Sequence, residues 1–287
     1  MPINFHDVSF IYNRKSPLEY EALKDVSLDI ENGSFVALVG RTGCGKSTLI
    51  QHINALLNPT SGEVKVDDFC NSSDKKKRTK KTKELRRHVG LVFQFPEYQL
   101  FEDTVEKDVA YGPKNFGMKG PEALEEAHKA LRMVGLDESF DKRSPLELSG
   151  GEKRRVAIAG ILAYRPSYLI IDEPTAGLDP AGALVLMDLF EKIHQEGTTI
   201  ILVTHDMNLV LRYCDKVIVM DQGKIARIST PVELFSEDME WFSLETPLLY
   251  SFITRLKQKG MKLDEGKIVD CQTLAKQIAS NKEKTLW

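Results

Sequence analysis

Eight residues, Gly40-Arg41-Thr42-Gly43-Cys44-Gly45-Lys46-Ser47, constrain this 287-residue chain more than any other stretch. The apolar run Phe35–Val39 leads into them. Leu49, Ile50, Ile53, Leu56 and Leu57 follow at helical spacing, which predicts strand, glycine loop and then a helix that stops before Pro59 and Gly62. Glycines let consecutive backbone N–H groups converge on one anion, and the positive end of the next helix faces the same point. G-x-x-x-x-G-K-S in that setting is a phosphate cradle. Gly40, Arg41, Thr42, Gly43, Cys44, Gly45 and Thr48 are expected to line it. Lys46 is expected to bridge β- and γ-phosphates, and the Ser47 hydroxyl to ligate Mg²⁺. Cys44, beside Lys46 at a helix start, is expected either to have a lowered pKa and alkylation sensitivity or to pack as a small residue.

The rest of the chain alternates in the same manner. Phe5–Phe10 and Ala22–Ile30 alternate with the period of strands, and the apolar runs Val89–Phe93, Tyr168–Ile171 and Thr199–Val203 read as buried strands. Residues from about Pro96 to Tyr164 are mainly helical in pattern, with Glu122–Val134 the clearest helix, and Ala183–His194 forms another. Alternating β and α segments predict a mainly parallel sheet covered on both faces. Asn71 to Arg87 is a polar stretch with nine Lys/Arg, and its basic run Lys75–Arg87 is expected to be a solvated loop. The run has no interleaved aromatics, and 39 Lys+Arg against 42 Asp+Glu give a net charge of −3, so no nucleic-acid partner is expected. No apolar stretch approaches the ~20 residues of a membrane span. The Met1-Pro2-Ile3-Asn4 start lacks a secretory pattern, which points to cytoplasmic residence. Four cysteines without CxxC spacing are expected to be reduced thiols.

Tyr168-Leu169-Ile170-Ile171-Asp172-Glu173 is an apolar strand ending in two acids. Successive side chains of a strand point apart, so the two adjacent carboxylates can have different roles. Asp172 is the candidate Mg²⁺ ligand, and Glu173 the candidate to polarise an attacking water. His205, after the strand Thr199–Val203, could donate to a γ-phosphate. Gln94 closes the strand Val89–Phe93.

Leu148-Ser149-Gly150-Gly151-Glu152 resembles the LSGGQ signature of ATP-binding-cassette (ABC) ATPases. The phosphate loop, Gln94, Asp172-Glu173, Gly177-Leu178-Asp179 and His205 stand in that family's order across residues 5–230. The resemblance implies ATP as the nucleotide, Gln94 as a catalytic-site residue that touches Mg²⁺ and the membrane partner, and Asp179 as the D-loop residue. It further implies His205 as the switch histidine, Tyr12 as the aromatic that stacks on adenine, and Ser149, Gly150 and Gly151 as donors to the γ-phosphate. Phe95 to Val105, Asp108 to Pro113 and Lys153 to Gly160 resemble the energy-coupling factor group of vitamin and cobalt/nickel importers. Glu152 departs from the usual Gln.

The implied fold is α/β: a P-loop core of ABC type with a mainly parallel sheet, an N-terminal antiparallel β subdomain, a helical subdomain and a small C-terminal extension. Residues 1–230 would form the ATPase domain, with the helical part at about 96–164, and residues 231–287 the C-terminal subdomain. Implied partners are a second ATPase subunit, paralogous or identical, an integral membrane coupling protein and a substrate-binding membrane subunit. The chain would sit peripherally on the cytoplasmic face of the cell membrane, with Glu97 and Glu102 as candidates to meet basic residues of the coupling protein. The rival reading is an ABC-type ATPase acting on DNA or ribosomes.

Overall fold

The computed structural model describes residues 2–236, 244–268 and 270–284. Strands β1 (Ile3–Tyr12), β2 (Tyr20–Ile30) and β3 (Phe35–Gly40) precede helix α1 (Lys46–Ile53). The hairpin β4 (Ser61–Val66) and β5 (Phe69–Ser72) follows, then α2 (Thr82–His88) and β6 (Val89–Val92). Helices α3 (Val105–Asn115), α4 (Gly120–Met133) and α5 (Gly150–Leu162) lead into β7 (Tyr168–Asp172), α6 (Pro180–Gln195), β8 (Thr199–Val203) and α7 (Met207–Tyr213). The remaining elements are β9 (Lys216–Asp221), β10 (Lys224–Ser229), α8 (Pro231–Phe235), α9 (Leu248–Gln258) and α10 (Cys271–Lys284).

The strands form two sheets. One is antiparallel in the order β2-β1-β4-β5, and the other runs β10-β9-β3-β8-β7-β6, parallel apart from its β9–β10 edge. Period-two alternation in β3 splits the interior into two cores. Val36 and Leu38 face the antiparallel sheet and the apolar side of α1, Leu49, Ile50 and Ile53. Phe35, Ala37 and Val39 face a larger cluster that takes in α3 to α7. Burial on both faces explains why the central strands are continuous apolar runs.

The helical segment is held partly by charge. Glu106 of α3 is buried and accepts from Lys142 and from His128 of α4, while Arg132 grips Asp141 through two 2.7 Å bonds. Glu106, His128 and Asp141 lie close enough to share a cation, but Lys142 and Arg132 already balance the two carboxylates. In the C-terminal segment, Tyr250, Ile253, Ile268 and Leu274 join the large cluster, whereas Leu248 and Phe252 remain exposed.

The solvated-loop expectation for Lys75–Arg87 is corrected at its end only: residues 75–81 are loop, but from Thr82 the run forms α2, anchored by the fully buried Leu85. Cys44, Cys70, Cys214 and Cys271 are not bridged to one another. No helix among the described residues is long and apolar enough to cross a membrane.

Candidate functional site

The loop after β3 is shaped by two glycines that no other residue can replace. Gly40 has φ +144°, and a Cβ there would lie 2.2 Å from the Met220 carbonyl oxygen. Gly45 caps α1 with φ +108°, and a Cβ there would come 2.6 Å from the carbonyl oxygen of Ala22. The backbone therefore turns tightly and α1 begins with its unpaired N–H groups at the loop. Lys46 curls over the loop, its ammonium donating to the carbonyls of Gly40 at 2.7 Å and Arg41 at 3.1 Å. Arg41, Thr42, Gly43 and Ser47 are exposed, and Gly45 is half-buried.

Cys44 departs from one of its two expectations. Its sulfur is directed into the core between the sheets, and burial pushes the thiol pKa up despite the opposing charge of Lys46. The side chain packs, and only its backbone belongs to the loop. Thr48 is also buried, and its hydroxyl shares a 3.1 Å hydrogen bond with the Tyr12 hydroxyl. Tyr12 is thereby held beside α1, with its ring edge-on to Phe10 at 4.7 Å. A second tyrosine escaped the sequence reading: Tyr20, opposite Tyr12 in the β1–β2 register, donates its hydroxyl to the Gly43 carbonyl at 3.1 Å. The strand pairing was needed to find it.

Parallel register collects the other residues at the same end of the sheet. Leu38 of β3 pairs with Val203 of β8, Val203 with Asp172 of β7, and Ile171 with Val92 of β6. The loops after β3, β8, β7 and β6 thus emerge side by side, the place where such sheets bind ligands. Ser47 Oγ lies 3.4 Å from Asp172 Oδ2. Burial and then Glu173 push the Asp172 carboxyl above its ordinary range, and Ser47 and Lys46 oppose this. An oxygen-only pair, with a carboxylate whose charge is costly when alone, fits Mg²⁺. Glu173 stands at φ +50°, its N–H bound to the Val203 carbonyl at 2.9 Å and its Oε2 2.9 Å from His205 Nδ1. That hydrogen bond, with the carboxylate's charge, raises the His205 pKa above its ordinary value. Gln94 is exposed two residues beyond β6.

The signature residues open a different helix. Ser149 is the N-cap of α5 in a reciprocal capping box: its backbone N–H donates to Glu152 at 2.7 Å, and its hydroxyl accepts from the Glu152 N–H at 3.4 Å. Glu152 thus fills a place where Glu and Gln serve equally. Ser149 and Gly150 are exposed at this positive helix end, with Gly151 half-buried behind them. Asp179 caps α6 through bonds of 3.0 Å from Ala181 and Gly182. Lys46, Ser47, Asp172, Glu173 and His205 share one end of the sheet, whereas Ser149 and Asp179 engage their own helix starts. Glu97 is not free to meet a partner's cation: Arg154 of α5 already holds it. Glu102 is half-buried.

The sequence profile of the ABC transporter family matches residues 23–176. The chain is 47% identical to the energy-coupling factor transporter ATP-binding protein EcfA2 of Spiroplasma kunkelii, over 98% of this chain and 93% of that one. It is 50% identical to the EcfA2 protein of Streptococcus pneumoniae serotype 2, over 91% and 94%. Among solved structures, cbiO1 of Clostridium perfringens, described as part of the ABC transporter complex cbiONQ, superposes with a TM-score of 0.72 at 35% identity, covering 88% of this chain and 98% of that one. The ATP-binding cassette MJ0796, seen as a dimer bound to ADP and Pi, gives 0.71 at 32% identity, covering 80% and 98%.

Proposed function

Since the chain belongs to the ABC transporter family, as an ATPase akin along its length to energy-coupling factor ATP-binding proteins, we propose that it powers import of a vitamin or transition-metal ion by closing and opening with a second cassette. The observation that carries this reading is the Glu173–His205 contact of 2.9 Å beside the Ser47–Asp172 pair. A base, a γ-phosphate donor and two metal-ligating oxygens then stand at one end of the sheet with the phosphate loop.

In this reading ATP lies along Gly40–Ser47, with its base toward Tyr12. Lys46 leaves the loop carbonyls for the β- and γ-phosphates. Glu173 orients a water in line with the γ-phosphorus and accepts its proton, while His205 donates to a γ-phosphate oxygen. Ser47 and Asp172 would hold Mg²⁺, with Gln94 at its edge; when bound, the ion neutralises charge on the phosphates.

Ser149, Gly150 and Gly151 of a second subunit, a paralogue or an identical chain, would close the site from the other side. A helix N-terminus with a serine hydroxyl is a ready anion donor. Hydrogen bonds to a charged group are worth about 1.5–3 kcal/mol each, so losing those to the γ-phosphate on hydrolysis is enough to release a closed pair. Asp179 belongs to the same facing surface.

Exposed Phe95, Tyr98, Phe101 and Tyr111 lie just after Gln94 and on α3. Two exposed ring pairs, Phe95–Tyr98 at 6.3 Å and Phe101–Tyr111 at 4.9 Å, suit an apolar partner and support docking to an integral membrane coupling protein, which in turn carries a substrate-binding membrane subunit. The chain would then be peripheral, at the cytoplasmic face. We assign residues 1–230, including the helical part at about 96–164, to the ATPase and residues 231–287 to the C-terminal subdomain.

The test is purification of the tagged chain from detergent-solubilised membranes, with mass spectrometry of what accompanies it. Recovery with an integral membrane protein and a second ATPase is expected. Recovery only with ribosomes or DNA would overturn the transport reading.

A further inference from the structure

Arg154 is an arginine with only 4% of its surface exposed, and the reaction outlined above does not use it. Burying a guanidinium is costly unless its donors are met, and here four hydrogen bonds engage four of its five N–H groups. Nε and Nη2 donate to Glu97 Oε2 and Oε1 at 3.3 and 3.4 Å. Nη1 donates to the carbonyl of Pro174 at 3.3 Å and to that of Ala176. The guanidinium carbon lies 5.9 Å from the centre of the Phe95 ring.

These contacts join three segments. Glu97 is three residues beyond Gln94, Pro174 directly follows Glu173, and Ala176 begins the run to Asp179. Arg154 itself is on the first turns of α5, five residues after Ser149. We propose that Arg154 is a positioning residue: its forked contact locks the Gln94 loop, the Glu173–Asp179 loop and the signature helix into one body, so that Glu173 is aimed correctly when the second subunit closes. The fork is essential to this role. A lysine ammonium is a point charge and cannot reach two carbonyls and both carboxylate oxygens together.

The proposal rests on the ATPase reading, and the experiment separates the two. The membrane complex is purified with Arg154→Ala, Arg154→Lys, Glu97→Gln or Arg154→Ala/Glu97→Gln in this chain, and kcat, KM for ATP, ATP binding and the melting temperature are measured. Arg154→Ala is expected to lower kcat at least tenfold, with KM and ATP binding within about twofold. Arg154→Lys should recover less than half of the lost kcat, and Glu97→Gln should lower kcat by several-fold with melting unchanged. The double variant should be no slower than Arg154→Ala, because both residues act through one contact. An unchanged kcat in Glu97→Gln and in either folded Arg154 variant overturns the proposal, as does a loss of ATP binding in step with melting. If Arg154→Ala does not fold, Glu97→Gln and Arg154→Lys decide. A native complex that neither binds nor cleaves ATP would instead overturn the ATPase reading.

Discussion

Glu173 and His205, 32 residues apart in sequence, are held 2.9 Å apart by the neighbouring ends of β7 and β8. The parallel register makes this contact, and the left-handed backbone at Glu173 turns its carboxylate toward the histidine. A residue at φ +50° costs roughly 1–2 kcal/mol. The Val203 carbonyl and the His205 ring hold it there.

Replacing Glu173 with Gln keeps the shape of this arrangement and removes the proposed base. The expected outcome is ATP binding within about twofold of the native protein, turnover reduced by about 100-fold or more, and a closed dimer accumulating with ATP on size-exclusion chromatography. Turnover near the native rate would exclude the role given to Glu173.

Glycines of the phosphate loop and of the proposed γ-phosphate contact at Ser149–Gly151 should respond differently to alanine. At Gly40 the added Cβ meets the backbone of β9 at 2.2 Å, so Gly40→Ala is expected to cost on the order of 3–5 kcal/mol or to prevent folding. At Gly150 a Cβ meets nothing within 4 Å. Gly150→Ala should hold its stability within about 0.5 kcal/mol in denaturant titration, while still slowing ATP cleavage by the assembled complex.

Glu152→Gln retains both arms of the capping box and should leave stability and turnover unchanged. Glu152→Ala removes one arm and should cost up to about 1 kcal/mol, read as a lower denaturation midpoint. Equal losses for Gln and Ala would mean that the negative charge, rather than the box, matters here.

His52 gives the protein a predicted sensitivity to acid. It is fully buried behind the phosphate loop on α1, with Nδ1 2.7 Å from the Thr48 carbonyl, and burial pushes its pKa down to about 4. The unfolded chain binds a proton below about 6.5, whereas the folded chain resists until about 4. The favourable contribution is therefore whole above the first value and lost as pH falls toward the second. Urea titrations at pH 7 and pH 5 should show a loss of about 2 kcal/mol that His52→Phe does not share. Identical pH dependence in both proteins would remove His52 as the cause.

Motifs of local spacing were legible in the sequence. Phe35–Ser47, Asp172-Glu173, His205 and Ser149–Gly151 each announce their backbone setting through a strand, turn or helix signal within a few residues. What stayed hidden depends on which segments fold against each other. Cys44 is in the right loop for a reactive thiol, but whether its sulfur faces solvent or core is decided by the antiparallel sheet on the other side of α1. Glu97 read as a free acid because its partner Arg154 is 57 residues away. The basic run looked like a loop because its one anchor, Leu85, is a lone apolar residue among charges and becomes informative only once its burial is seen.

The central claim is that ATP is clamped between the phosphate loop of one subunit and the Ser149–Gly151 helix start of another. The most direct measurement is ATP turnover by the purified membrane complex with Gly151→Asp in every subunit that carries the motif, alongside ATP binding by the isolated chain. A carboxylate at that helix start would repel the γ-phosphate without touching the subunit's own loop. The account predicts binding by the isolated chain within about twofold of native and turnover reduced by about 100-fold or more. Native turnover in that variant would contradict the clamp.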